Sequence, residues 1–349
     1  METAIVFKIA VLSTLSFVFA ILWTPLLTHF LYKFKLGKQI RDSKETPVFS
    51  KLHKDKAGTP TMGGILIWLT VLIIALVFYL LGTFTNIEIF QKLNFLTRAQ
   101  TLLPLGALVA SALIGLVDDF LNVKKIGPHG GGLSMSMRLG VYAVIALIGA
   151  FWFYFKLDWD VFHIPFLGNF VIGWWYIPVF VFVIVATSHS INVTDGLDGL
   201  AGGILAIAFG AFGAIAFTQG KFELATFCGV IAGALLAFLW FNINPARFFM
   251  GDTGAMSLGI TLGIVAMLTN TAIFLIIICL IPVIESLSVI IQVLSKKIRK
   301  KKVFKSAPIH HHFQAVGWSE PKIVMRFWLI SGVTAVIGII LALLDKGWY

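Results

Sequence analysis

Charge is what this sequence has least of. Only 12% of its 349 residues are Asp, Glu, Lys or Arg, about half of the quarter usual in soluble domains, and that shortage excludes a chain whose main solvent is water. Cysteine is scarce as well. Cys228 and Cys279 both sit inside apolar runs, which excludes a disulfide framework and a cysteine zinc site and leaves packing as their role. Carboxylates are outnumbered, 16 against 27 Lys and Arg. In a soluble protein the resulting +11 would point to nucleic acid. Here the cations gather in a few loops between apolar runs, so they are read as setting topology and attracting anionic lipid, with no nucleic-acid partner expected. No polar linker separates two soluble parts and no internal repeat is evident, so residues 1–349 read as one integral membrane domain. The first residues, Met1-Glu2-Thr3, lack the basic start of a signal peptide, and the first apolar run reads as a span.

What the chain has in abundance is apolar sequence: 58% hydrophobic residues and a mean hydropathy of +0.94. Runs long enough to cross a bilayer predict ten helices, at roughly 4–30, 61–82, 100–120, 137–156, 171–189, 198–218, 223–241, 254–269, 271–295 and 323–344. The fold class expected is therefore an all-α polytopic membrane protein. Loop charge orients it. The 33–58 loop carries Lys33, Lys35, Lys38, Arg41, Lys44, Lys51, Lys54 and Lys56, and the 296–322 loop carries Lys296, Lys297, Arg299, Lys300, Lys301, Lys302, Lys305 and Lys322. Both are odd-numbered loops; the even-numbered ones carry only Lys92, Arg98, Lys156 and Lys221. The bias places the odd loops in the cytoplasm and both termini outside. Every unusual polar cluster then falls in an odd loop, and the other face is expected to have almost none. That is the layout of an active site at the cytoplasmic surface.

The clusters differ in chemistry. Asp118 and Asp119 end the third span, and two adjacent carboxylates at that depth need water, a cation or a basic partner. A divalent cation with oxygen ligands would serve; a solvated helix end is the plainer alternative. Asn192-Val-Thr-Asp195-Gly196-Leu-Asp198-Gly holds two carboxylates three apart among glycines that allow close backbone approach, and either Asp could instead cap the next helix. Asn242-Ile-Asn-Pro-Ala-Arg-Phe248-Phe249-Met-Gly-Asp252-Thr-Gly puts a carboxylate at a helix start, where it can cap or meet a metal, and an aromatic ring there could stack on a nucleobase or simply pack. His310-His311-His312 follows seven cations and suits proton transfer or phosphate contact. Zinc is the weaker reading, since three consecutive histidines do not easily share one tetrahedral ion. Lys56 precedes Ala-Gly-Thr-Pro-Thr-Met-Gly-Gly at the start of the second helix, a hydroxyl-rich loop that is not a Walker A sequence. Glu285 lies within the ninth span beside Pro282, which is expected to kink it. An intramembrane Glu is a functional candidate, and holding the kink is its other possible role.

In this order and spacing the five clusters resemble the polyprenyl-phosphate N-acetylhexosamine-1-phosphate transferase superfamily. Gly58-Thr-Pro-Thr-Met-Gly-Gly64 and Pro308-Ile-His-His-His312 are similar to its phospho-N-acetylmuramoyl-pentapeptide-transferase branch, and the likeness covers nearly the whole chain. The resemblance implies a multi-pass enzyme of the bacterial cytoplasmic membrane. Its partners would be UDP-MurNAc-pentapeptide, undecaprenyl phosphate and membrane lipid, its products lipid I and UMP, its cofactor Mg2+ and its usual state a homodimer. It also implies roles. Asp118, Asp119, Asp252, His310 and His311 would be catalytic, with Asp118 the base on the lipid phosphate. Asp252, Asp118 and Asp119 would hold the metal. Lys56, Asn192, Asp195, Gly196, Asp198, Asn242, Phe249, Gln292 and His312 would line the substrate site.

Three positions depart from the branch: Arg138 stands for a lysine, Asn122 for a lysine after the aspartate pair, and Gln314 for a glutamate. The nearest rival is a transferase moving GlcNAc-1-phosphate from UDP-GlcNAc to the same lipid, against which the 308–312 motif and Thr-Met-Gly-Gly argue. An ion-coupled transporter would place charges near the midplane in repeated halves, whereas here the carboxylates cluster at one face and no repeat is evident.

Overall fold

The computed structural model describes residues 2–34, 36–37, 56, 58–128 and 131–345. His53 and the first-loop cations Lys35, Lys38, Arg41, Lys44, Lys51 and Lys54 lie outside the described residues.

The long apolar runs fold as helices: α1 (Glu2–Lys33), α2 (Ile65–Phe84), the short α3 (Glu88–Leu93), α4 (Leu102–Val123) and α5 (Met135–Lys156). A two-stranded hairpin, β1 (Val161–Ile164) and β2 (Gly168–Val171), precedes α6 (Tyr176–Thr194), α7 (Leu200–Thr218), α8 (Phe222–Asn242) and α9 (Gly251–Leu268). The chain then runs through α10 (Leu275–Ile278), α11 (Leu280–Arg299), α12 (Ile309–Ala315) and α13 (Glu320–Leu344). Nine helices among the described residues are long and apolar enough to cross a membrane, and the α10–α11 pair brings the number to ten if it is one span. All ten expected helices are present, each within a few residues of its expected bounds apart from the interrupted ninth.

α9 is the axis of the bundle. Its buried side chains run almost without a gap from Gly251 to Leu268, and it packs mainly on α4 and α6. Small residues make this possible, as they do between membrane helices generally. A Cβ on Gly115 of α4 would stand 2.5 Å from the Asp252 carbonyl oxygen, and one on Gly259 would stand 2.7 Å from the Ser188 Cα of α6. The outer helices α1 and α13 keep long apolar faces exposed, among them Leu22, Leu26, Leu329 and Val333.

The ninth span departs from expectation. It is not one kinked helix over 271–295: it breaks at Cys279, and its two pieces meet at 86°. Proline explains the position. Pro282 has no N–H to give, and its ring excludes the carbonyl four residues back, which belongs to Ile278. α10 accordingly ends at Ile278 and Pro282 sits in the first turn of α11. α11 is inside-out relative to a soluble helix. It buries Glu285, Ser286, Ser288, Gln292 and Ser295, and exposes Ile284, Leu287, Ile291, Leu294 and Ile298.

A second departure lies at the far end of α9. That end was expected to be almost without polar chemistry, yet buried His163 of β1 meets Asp345 (Nε2 to Oδ2, 2.6 Å) and Asn169 (Nδ1 to Oδ1, 2.8 Å). Its backbone N–H donates to Asn270 Oδ1. The hairpin thus ties the end of α13 to the turn after α9. Four residues per strand, paired Val161 to Val171 through Ile164 to Gly168, are too short a signal to stand out beside helices of twenty.

Candidate active site

The end of α4, the start of α5 and the end of α6 meet the Gly251 end of α9. Asp119, on the last turns of α4, aims its carboxylate at that helix start and accepts the N–H groups of Asp252 at 3.1 Å and Thr253 at 3.0 Å, with Thr61 Oγ1 at 3.4 Å. The first N–H groups of a helix have no partner within it, so Asp119 caps α9 from another helix and sets its charge against the positive end of the dipole. Gly251 allows the approach: its φ is +74°, and a Cβ there would lie 2.5 Å from Asp119 Oδ2.

Asp118 points elsewhere. It is wholly buried, accepts the Leu133 N–H, and lies 2.8 Å from Arg138 Nε at the start of α5. Arg138 Nη2 lies 2.9 Å from Asp252 Oδ2, and Asn192 Nδ2 of α6 donates to Asp252 Oδ1 at 2.5 Å. One guanidinium therefore bridges two carboxylates. The Arg138–Asp118 contact is one of charge: neither Nε nor the buried Oδ2 is aligned for a hydrogen bond. Asp118, Asp252 and Arg138 together keep one negative charge, and Asp119 adds another.

The donor set fits a magnesium ion held by Asp118 and Asp252. Carboxylate oxygens are its preferred ligands, and it commonly uses one or two of them, completing its shell with water and substrate phosphate. Asp118 Oδ2 is a buried oxygen without a hydrogen bond, as a metal ligand would be. Among the described residues no three His, Cys, Asp or Glu side chains converge as a closed cage. Asp119, the third carboxylate expected at the metal, has both oxygens on the α9 backbone.

The three histidines have separate surroundings. His310 Nδ1 is 2.9 Å from Glu285 Oε2 of α11, both side chains fully buried. The other ring nitrogen packs over Gly196, where any Cβ would collide with it, and it has no hydrogen bond. A carboxylate on Nδ1 favours a proton there and leaves Nε2 as the acceptor of the neutral ring. His311 Nδ1 pairs with Gln314 Oε1 at 2.7 Å, so the departure at Gln314 is met by this histidine. His312 Nδ1 accepts the Lys305 N–H at 3.2 Å. Glu285, for which two roles were left open, thus has its side-chain contact with His310, about two turns beyond the break.

A third cluster surrounds Lys56. Its Nζ donates to Asp198 Oδ1 at 2.6 Å and to Glu320 Oε1 at 2.5 Å, and stands 5.9 Å from the centre of the half-buried Phe249 ring. Asp198 Oδ2 also accepts Asn244 Nδ2 and the Ala246 N–H, while Glu320 Oε1 accepts the Asp198 N–H at 2.6 Å. Glu320 was not among the sequence candidates. Within Ser319-Glu320-Pro321 it reads as an ordinary first-turn acid, and only the fold brings it to Lys56.

Several candidates hold the scaffold. Asn242 accepts the Gly199 N–H and donates to the Phe248 carbonyl. Gln292 accepts the N–H groups of Val303 and Phe304 and donates to the Phe304 carbonyl, so its amide pins the basic loop to α11. Asp195 terminates α6, its N–H donating to the Ile191 carbonyl. The end of α6 joins all three clusters: Asn192 touches Asp252, Ser190 bonds Ser286 of α11, and Gly196 and Asp198 face His310 and Lys56.

Against known proteins, residues 101–270 match the family model described as glycosyl transferase family 4, a stretch holding Asp118, Asp119, Asn192 and Asp252. Residues 56–67 match phospho-N-acetylmuramoyl-pentapeptide-transferase signature 1. Curated proteins named phospho-N-acetylmuramoyl-pentapeptide-transferase are similar over nearly the full length. One from Bacillus anthracis (strain A0248) is 41% identical over 329 residues, covering 93% of this chain and 94% of that protein. One from Bacillus subtilis (strain 168) is 38% identical over 341 residues, 97% and 98% of the two chains. One from Chloroflexus aggregans is 39% identical over 329 residues, 90% and 84%.

Proposed function

This chain belongs to the phospho-N-acetylmuramoyl-pentapeptide-transferase family, and from that we propose that it transfers phospho-MurNAc-pentapeptide from UDP-MurNAc-pentapeptide to undecaprenyl phosphate, giving lipid I and UMP. The observation that carries the reading is the convergence of Asp118, Asp252 and Arg138 with the buried His310–Glu285 pair at one end of the bundle. In the reaction an oxygen of the lipid phosphate bonds to the sugar-bearing phosphorus, and the bond from that phosphorus to the bridging oxygen of the diphosphate breaks. Asp118 takes the lipid phosphate's proton. UMP leaves with the electron pair.

Phosphoryl transfer is catalysed mainly by positioning and charge stabilisation, and the residues divide along those lines. Lys56, Asp198 and Glu320, with the Phe249 ring beside them, form the uridine end. Arg138 offers a bidentate cation to the diphosphate once released from its carboxylates. His310 is held against Gly196 at the end of α6, beside the uridine end, with Glu285 fixing its tautomer. Magnesium, held by Asp118 and Asp252, would supply further positive charge at the diphosphate.

The same reading places this end of the bundle at the cytoplasmic face of the bacterial inner membrane. The basic tract Lys296–Lys305 adjoins α11 and α12 on that side, in keeping with the positive-inside rule. Both termini then lie outside, and the working unit is a homodimer. The donor is tested by offering purified protein and undecaprenyl phosphate either UDP-MurNAc-pentapeptide or UDP-GlcNAc and measuring UMP. Release with the first alone supports the proposal; release with the second alone moves the chain to the GlcNAc-1-phosphate reaction.

A further inference from the structure

We propose that the groove between the end of α1 and the 243–250 loop binds the phosphate headgroup of an acidic membrane phospholipid. The groove, about 590 Å³, is lined by Pro25, Thr28, His29, Tyr32, Lys33 and Arg247. Lys33 and Arg247 have no carboxylate within ion-pair distance among the described residues. Arg247 is held in place by other means: its carbonyl accepts Tyr32 Oη–H at 2.9 Å, its N–H donates to the Phe241 carbonyl, and its guanidinium lies 5.7 Å from the Phe241 ring centre. Stacking uses the face of a guanidinium and leaves its N–H edge free for a phosphate. Basic pockets between helices at a cytoplasmic membrane surface bind acidic headgroups in this way.

The surroundings favour a lipid over a soluble anion. Leu22, Leu26, Phe30 and Phe34 are exposed along the same end of α1, so acyl chains would lie on an apolar surface directly beside the cations. They also favour bulk phospholipid over the polyprenyl substrate. The main partners of α1 are α8 and α2, not the helices that carry Asp118, Asn192, Glu285 and His310. The site nonetheless reaches the donor end. The loop bearing Arg247 gives Asp198 two hydrogen bonds, from Asn244 and Ala246, and its Phe249 N–H donates to the Pro60 carbonyl at 2.8 Å. A headgroup on Arg247 would brace that loop. The inference rests on the orientation proposed above for which leaflet supplies the lipid.

The test is lipid retention by the full chain, read by native mass spectrometry after release from nanodiscs of phosphatidylcholine with or without phosphatidylglycerol. The wild type is expected to retain phosphatidylglycerol in preference to phosphatidylcholine. Lys33→Gln with Arg247→Gln should weaken that retention roughly 30-fold, as expected for two interfacial cations, while Lys33→Arg, which keeps the charge and leaves the stacked Arg247 in place, should keep it. Should the double Gln variant not fold, Lys33→Gln alone carries the test with about a fivefold loss. Equal retention by wild type and Gln variants overturns the site. Undecaprenyl phosphate retained in preference to phosphatidylglycerol, and lost in the Gln variants, would make the groove a substrate site and overturn the assignment to phospholipid; competition by inorganic phosphate as strong as by phosphatidylglycerol would overturn the lipid requirement. Retention is read without donor or turnover, so its failure and the failure of the transferase reading are separate results.

Discussion

Arg138 stands between Asp118 and Asp252, 2.8 Å from one carboxylate and 2.9 Å from the other. Removing one partner of a buried ion pair leaves uncompensated charge and costs about 3–5 kcal/mol. Arg138→Gln is therefore expected to lower thermal stability in metal-free buffer, and magnesium should restore more stability to the variant than to the wild type. A thermal-unfolding series with and without magnesium checks this. Equal effects of magnesium on both proteins would show that the guanidinium and the ion do not share the two carboxylates.

Glu285 meets His310 through Nδ1 at 2.9 Å. If the carboxylate fixes the tautomer, Glu285→Gln keeps the shape and loses the charge. The expectation is a fall in kcat on the order of 10²-fold, the scale seen when an orienting partner is lost, with KM for the donor nearly unchanged. Steady-state kinetics separate the two constants. A raised KM with kcat intact would make Glu285 a binding group instead.

The neighbouring aspartates should part company. Asp119 accepts two backbone N–H groups of α9, and a charge at a partly buried helix start is worth up to about 2 kcal/mol. Asp119→Ala is expected to lower the unfolding temperature clearly. Asp252→Asn keeps an oxygen for Asn192 Nδ2 and leaves Arg138 its Asp118 partner, so it should lose less of the unfolding temperature than Asp119→Ala while losing activity. Unfolding curves for both variants, read beside their rates, decide it.

Glu320 shares Lys56 with Asp198. Glu320→Gln should raise KM for the UDP-linked donor about tenfold, the worth of one charge-assisted hydrogen bond, and leave KM for the lipid phosphate unchanged. A change confined to the lipid KM would place this cluster at the acceptor.

Much of this molecule was legible in its residues, and the rest was not for physical reasons. Hydropathy found the ten helices because a bilayer demands long apolar runs, and the polar clusters fell at one end because charge is expensive elsewhere. Pro282 marked a disturbance, but its ring acts on the carbonyl of Ile278, so the break lies a turn ahead of the proline itself. The adjacent Asp118 and Asp119 look alike in sequence; only the position of α9 shows that one caps a backbone while the other meets Arg138. Glu285 was flagged by its depth, yet its partner lies 25 residues away. Glu320 carried no local signal, since an acid at a helix start already has a role there.

The most direct test of the account is UMP release by the purified protein in detergent with UDP-MurNAc-pentapeptide and undecaprenyl phosphate, with and without magnesium, beside Asp252→Asn. Release that needs both the lipid and the metal, and is lost in the folded variant, is the expected result. Release unaffected by Asp252→Asn, or none from folded wild type under any of these conditions, would contradict the claim that this end of the bundle carries out the transfer.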